Sequence, residues 1–204
     1  MSETAIEPIG KRERTKAANR QAILAAARRV FAQLGYEAAT VRDIIRGTDL
    51  ASGTFYNYFR SKEEVFEALA DDGARRFRPI LRLARQNATS FEDYLHSAFV
   101  AYFRFIVEDN LIEGRPIDER RPQLRLGTPE TMAVYHEVRQ SLDDAIAHGD
   151  APRVDADYLA CACIGIAQEV GASMLRRAPP GIDAAADFCT GLILKGLMGA
   201  PRQS

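Results

Sequence analysis

Chemistry that makes or breaks bonds needs a nucleophile beside a base, a set of metal ligands or a phosphate cradle, and none of these is legible here. The three histidines, His96, His136 and His148, form no His-x3-His pair, and there is no nucleophile elbow or glycine-rich phosphate loop. Catalytic residues, metal and cofactor are therefore not expected, and the chain does not read as an enzyme. The chemistry available is non-covalent. Hydroxyl, amide and cationic groups crowd between Thr40 and Lys62, where Thr40, Arg42, Ser52, Thr54, Tyr56, Asn57, Tyr58 and Lys62 follow one another closely. Such groups hydrogen-bond to phosphate oxygens and base edges. The charge distribution agrees. Residues 1–62 hold 11 Lys/Arg against 6 Asp/Glu, a charge of +5, and the remainder holds 16 against 22, a charge of −6, inside a net charge of only −1. That asymmetry is the footprint of a small nucleic-acid-binding head on an acidic body.

Short helices must position those groups. In RQAILAAARRVFAQLG, Ile23, Leu24, Ala27, Val30, Phe31 and Leu34 recur at helical spacing, and Gly35 supplies a stop. Thr40-Val41-Arg42-Asp43 reads as a capping box with Asp in the Glu position, opening a two-turn helix whose inner face is Val41, Ile44 and Ile45. Gly47-Thr48-Asp49 ends it. SGTFYNYF follows as another short segment, and Ser61-Lys62-Glu63-Glu64 as a second capping box that opens a long helix through Val65, Phe66 and Leu69. Two short helices joined by a tight turn have the proportions of a helix-turn-helix.

From Arg20 to Leu69, the strings ILAAARRVFAQLGYEAATVRDIIRG and SGTFYNYFRSKEEVFEAL resemble the DNA-binding domain of the tetracycline-repressor (TetR) family of transcriptional regulators. The resemblance covers about a third of the chain. It implies an all-α fold of about nine helices: an N-terminal three-helix helix-turn-helix DNA-binding domain, and a C-terminal helical ligand-binding and dimerisation domain. The expected division is a basic flexible arm over 1–16, the DNA-binding domain over 17–77 and the C-terminal domain over 78–204. The implied function is a repressor that binds a palindromic operator as a homodimer and is released by a small apolar or amphipathic effector. The alternative is a regulator of the same head under other control, by a protein partner or thiol redox chemistry, or one that activates.

In a helix-turn-helix the second helix enters the major groove N-terminus first, which places Ser52, Gly53 and Thr54 nearest the bases and Tyr56, Asn57 and Tyr58 on the next turn. By the resemblance, Tyr56 and Lys62 are phosphate contacts and Thr40 and Arg42 lie at the DNA surface, with Arg42 the candidate guanine contact. Phe55 and Phe59 read as core. Two positions depart from the family pattern: Asp49 stands where Gly is usual in the turn, and Ala51 where Ser usually caps the recognition helix. Losing that cap costs about 1 kcal/mol unless Ser52 takes over. The arm residues Lys11, Arg12, Arg14 and Lys16 could follow phosphates or a minor groove.

The body is helical in pattern. FEDYLHSAFVAYFRFIVEDN carries apolar groups on nearly all faces and should be a central helix. Its Tyr94, His96, Phe99, Tyr102 and Phe103, with His136 from a following helix, are the candidate effector-binding residues. Pro116, Pro122, Gly127 and Pro129 interrupt an arginine-rich stretch containing Arg115, Arg120, Arg121 and Arg125, after which helices resume over roughly 129–148, 155–177 and 182–198. In the last two, Ile164, Gly165, Ala172, Leu175, Leu192, Leu194 and Leu197 mix small and large apolar groups, and the resemblance implies a four-helix dimer interface there. Cys161, Cys163 and Cys189 are an odd number in apolar surroundings and read as buried, reduced thiols. Cys161 and Cys163 project about 200° apart on a helix. No period-two segment suggests a sheet. No run approaches roughly 18 consecutive apolar residues, and the N-terminus is charged where a signal peptide is apolar, so the reading is cytoplasmic, with no membrane.

Overall fold

The computed structural model describes residues 10–110 and 127–199, apart from the side chains of Asn110 and Met198. The arginine-rich stretch with Arg115, Arg120, Arg121 and Arg125 lies outside the described residues, as do residues 1–9 of the expected arm. The described residues form eight α-helices and no strand: α1 (Lys11–Leu34), α2 (Val41–Arg46), α3 (Ser52–Tyr56), α4 (Lys62–Asn87), α5 (Phe91–Asn110), α6 (Pro129–His148), α7 (Ala156–Leu175) and α8 (Ile182–Gly199). The all-α class holds, with eight helices among the described residues against about nine expected. The chain divides into compact units at 1–69 and 70–204, so the boundary falls inside α4, earlier than the 77/78 division expected.

The first unit is built on Ile23, Leu24, Ala27 and Val30 of α1, Ile44 of α2, Phe55 and Phe59 around α3, and Val65 and Ala68 of α4, all buried. The helical spacing in α1 thus faces a real core, except that Leu34 at its end is 47% exposed. Gly35 follows with φ 76°, a backbone that residues with a Cβ rarely adopt, and its N–H bonds to Phe31 O. The expected flexible arm needs correction. Residues 11–16 form the first turns of α1, with Glu13 in the first turn and the Thr15 hydroxyl donating to Lys11 O at 3.0 Å. Lys, Arg and Glu are good helix formers, and no proline or glycine separates them from the apolar run, so the helix extends backwards through a segment too polar to pack.

In the second unit the sequence pattern of α5 becomes a central helix, with Phe91, Tyr94, Leu95, Phe99 and Phe103 buried in one cluster with Leu142, Leu159, Cys163, Cys189 and Ile193. Gly171 of α7 permits close approach to α5, since a Cβ there would lie 2.8 Å from Ile106 Cδ1 and 3.3 Å from the Phe103 ring. Pro79 lies inside α4 without ending it. Buried Phe77 and Leu81 flank the proline, and ion pairs tie this stretch to α6: Arg75–Glu130 (3.5 Å), Arg78–Glu137 (3.0 Å), Arg82–Glu137 and Arg85–Asp144 (3.3 Å). α7 has the composition of a membrane span, with a mean hydropathy of 1.4 over 18 residues, 28% of them buried. Its apolar surface is only partly covered within this chain.

Candidate nucleic-acid interface

The helix-turn-helix is held by local polar bonds. At α2 the predicted capping box is present: Asp43 N–H donates to Thr40 Oγ1 (3.2 Å), and Thr40 N–H donates to the Asp43 carboxylate (3.0 Å). The Thr40 hydroxyl also donates to that carboxylate, and these bonds hold the Asp43 carboxyl below its ordinary range. The turn is closed by Thr48, whose hydroxyl donates to Ile45 O (2.8 Å) and accepts from Leu50 N–H (3.2 Å), while Arg29 of α1 donates to Gly47 O (2.9 Å). The N-cap of α3 is Ala51, whose backbone is extended and whose side chain makes no cap bond. The alternative in which Ser52 shifts into the cap does not occur. The short helix depends instead on burial of Phe55 and Phe59, with the Arg20 guanidinium 5.5 Å from the centre of the Phe59 ring.

Anchored from beneath, α3 presents its other side outward. Ser52, Gly53, Tyr56 and Asn57 are exposed, Tyr56 at 58%, and a Cβ on Gly53 would meet nothing within 4 Å. Thr54 is half-buried. On α2, Thr40 and Arg42 are exposed. Tyr58 turns inward instead, half-buried against the first unit's core and accepting a bond from Asn19 of α1 (3.3 Å). Lys11, Arg12, Arg14 and Lys16 are exposed on the first turns of α1.

Lys62, expected at a phosphate, is bonded within its own unit. Its ammonium donates to three carbonyls, Tyr36 O (2.9 Å), Glu37 O (3.2 Å) and Ala39 O (3.2 Å), and lies 4.6 Å from the centre of the Tyr36 ring. All three N–H groups are engaged within the unit, so Lys62 fastens the α1–α2 loop to the start of α4. Tyr36 completes that joint. Its hydroxyl donates to Glu63 (3.2 Å), and burial together with that carboxylate pushes its pKa up to about 12. The expected box at Ser61 forms by half: Glu64 N–H donates to Ser61 Oγ (3.2 Å), but the Glu64 carboxylate takes Arg60 N–H (2.7 Å). Sequence reasoning passed over Arg46 and Arg60, both exposed cations of this unit. The local excess of positive charge was the signal that contained them.

In the second unit, the six candidate effector residues do not share one environment. Tyr94, Phe99 and Phe103 are core, Tyr102 is half-buried, and Tyr94's pKa is raised by burial. His96 lies at the surface, 3.1 Å from Asp187 of α8, and His136 is exposed beside Tyr135. Of the candidate interface residues, Ala172 and Leu192 are exposed, the latter at 48%, while Ile164 and Gly165 are half-buried. Leu175 and Leu194 pack in part on the unit's own core, and Leu197 is buried there. Leu197 continues the inner row Cys189–Ile193 at steps of four, so its role as an interface residue needs correction. Tyr158 (79% exposed) on α7 and Phe188 (60%) on α8, like Ile80 and Leu83 on α4, are exposed large apolar residues that sequence reasoning missed. Burial pushes the Cys163 thiol up to about 12 and the Cys189 thiol to about 11, which disfavours the reactive thiolate; Cys161, expected to be buried like the other two, is instead exposed, because it lies two residues from Cys163 and so on the opposite side of α7.

Comparison with known proteins points the same way. Residues 23–69 match the family model described as bacterial regulatory proteins, tetR family. The chain is 47% identical over 58 residues to the transcriptional repressor AcnR of Corynebacterium efficiens, covering 28% of this chain and 31% of that protein. It therefore spans about a third of the length of the curated relatives it first matches. Similarity of structure extends further. The fatty acid degradation regulator FadR of Bacillus halodurans aligns with a TM-score of 0.72 over 94% of this chain and 98% of its own, at 24% identity. FadR of Bacillus subtilis, solved in complex with stearoyl-CoA, aligns with a TM-score of 0.70 over 86% and 98%, at 20% identity.

Proposed function

We propose that this chain, whose residues 23–69 match the model of the tetR family of bacterial regulatory proteins, is a transcriptional repressor of that family that binds a palindromic operator as a homodimer and is released by a small molecule held in the C-terminal unit. The observation that carries the reading is α3 and the residues that follow it: Phe55 and Phe59 are buried beneath, and Ser52, Gly53, Tyr56 and Asn57 are exposed above. In this reading α3 enters the major groove, Arg42 contacts a base, Thr40 lies at the DNA surface, Tyr56 contacts phosphate, and the basic first turns of α1 add phosphate contacts. The chain works in the cytoplasm, where its DNA is.

The dimer face in this proposal is the outer side of α7 and α8, where Tyr158, Ala172, Phe188 and Leu192 are exposed. Small residues beside exposed aromatics suit an isologous contact that covers apolar surface. A two-fold dimer must hold its recognition helices roughly 34 Å apart, so an effector that favours a differently spaced state lowers operator affinity. The stearoyl-CoA bound by the Bacillus subtilis neighbour makes long-chain acyl thioesters the first effectors to test. Burial of Tyr94, Phe99 and Phe103 in a packed cluster favours the second reading, a regulator not controlled by a small molecule, and the test below separates the two.

The test is an electrophoretic mobility shift at stated salt with DNA from upstream of the chain's own gene, with Arg42→Ala and Tyr56→Phe beside wild type, without and with stearoyl-CoA. Saturable dimer binding that both substitutions weaken supports the DNA-binding reading. Binding that no acyl thioester or other small molecule alters removes the effector and leaves the second reading.

A further inference from the structure

Where α1 meets the residues that follow α3, one neutral hydrogen bond has a direction that packing does not require. Asn19 Nδ2 donates to the Tyr58 hydroxyl at 3.3 Å, between residues 39 apart in the chain. Tyr58 packs its ring on the first unit's core and remains half-buried. The hold of α1 on this region does not rest on that bond. Ile23 and Leu24 are fully buried one turn later, and the Arg20 guanidinium lies 5.5 Å from the centre of the Phe59 ring. What the bond fixes is the hydroxyl. A phenol has one proton to give, and an amide N–H on the acceptor side of its oxygen leaves that proton to another partner. Among the described residues nothing accepts it.

The surroundings indicate the acceptor. Arg12, Lys16, Asn19 and Ile23 follow one another at steps of four, three and four, which is one side of a helix. That side is buried from Ile23 onward, Asn19 stands at its edge, and Lys16 and Arg12 continue it, exposed. A row of cations leading to a hydroxyl with a proton to donate suits the oxygens of a phosphate backbone, which only accept.

We infer that Asn19 is a positioning residue for DNA binding: by donating to the Tyr58 hydroxyl, it turns that hydroxyl's proton outward to a backbone phosphate. The inference rests on the DNA-binding reading proposed above and adds to it a residue that does not itself touch DNA. A neutral donor releases no counterion, so the Tyr58 contact sets affinity and not its salt dependence.

The experiment reverses the bond. Asn19→Asp keeps nearly the same shape but offers only acceptors, so the Tyr58 hydroxyl must donate to it and its proton is drawn inward. The wild-type protein first selects a duplex from a random-sequence library. Affinity for that duplex is then measured by fluorescence anisotropy across a salt series for wild type, Asn19→Asp, Tyr58→Phe and the double variant. Tyr58→Phe should bind about tenfold more weakly with an unchanged salt slope, as for loss of one hydrogen bond to a charged group. Asn19→Asp should bind at least as weakly while its thermal melting stays at that of wild type. In the Tyr58→Phe background the same substitution should cost clearly less, since there only its charge acts. A bond that merely ties α1 to Tyr58 gives the reverse order, because Asn19→Asp preserves the tie and costs least while the hydroxyl is present. That reverse order, or unchanged affinity in Tyr58→Phe, would overturn the inference. A wild-type protein that selects no duplex overturns the DNA-binding reading itself, so the two failures are distinct.

Discussion

The two units use polar groups in opposite ways. In the first, hydrogen bonds are short in sequence or tie one helix end to the next: the Thr40–Asp43 box, the Thr48 turn and the Lys62 ammonium on three carbonyls. In the second, charges act along the length of long helices, Arg75 through Arg85 of α4 against Glu130, Glu137 and Asp144 of α6. Short helices contribute little stability of their own and depend on their ends and on a few buried rings. Long helices have apolar area to spare, and the second unit leaves Tyr158, Phe188 and Leu192 uncovered. The exposed face of α3 therefore rests on a small core of its own, while the larger unit carries exposed apolar surface.

The sharpest break of that comparison is Phe55→Ala, which empties the base of α3. Loss of a buried phenylalanine costs about 3–5 kcal/mol. Hydrogen exchange should lose protection across peptides from 20–69 while peptides from 91–109 keep theirs; matching losses in both would show that the first unit does not hold its own core. Next in size is Phe188→Asp, which places a charge on the outer face of α8. Truncating a central interface aromatic typically costs about 2 kcal/mol or more, so sedimentation should shift from dimer to monomer with helicity unchanged. An unchanged sedimentation coefficient would remove this face from the dimer.

Lys62→Met separates a structural cation from a phosphate contact. Leaving the carbonyls of Tyr36, Glu37 and Ala39 without their donor should lower the first unit's stability by about 1–3 kcal/mol. The salt slope of DNA binding should stay the same; a slope lower by about one unit would restore the phosphate role. The smallest effect concerns pH in the second unit. Arg82 and Arg78 hold the Glu137 carboxyl below its ordinary range. A carboxyl lowered by folding contributes stability that is present above its unfolded pKa and is lost as pH falls through the lowered value. Arg82→Gln should therefore flatten the acid side of the stability profile and leave neutral-pH binding of DNA intact, as followed by acid titration of circular dichroism.

These experiments bear on parts of the molecule that differed in legibility. The α2 box could be read because Thr40 and Asp43 are three residues apart, and the beginnings of α4, α6 and α8 because capping and proline signals act within one turn. The buried roles of Phe55 and Phe59 followed from a spacing of four. Lys11–Lys16 was misjudged because polarity marks absence of packing, whereas helix continuation needs only favourable propensity and no breaker.

What the sequence determined by itself was the class of fold, the order of helices, the charged head and the exposed candidates on α2 and α3. Each of those depends on interactions within a few residues. Only the tertiary structure decided that Lys62 turns to carbonyls more than twenty residues earlier, that Leu197 faces inward while Phe188 faces outward, and that the Tyr58 hydroxyl meets the Asn19 amide. An apolar helix such as α8 has no polar side to orient it, and a long cationic side chain has several reachable acceptors, so the choice belongs to the neighbours that the fold brings to them.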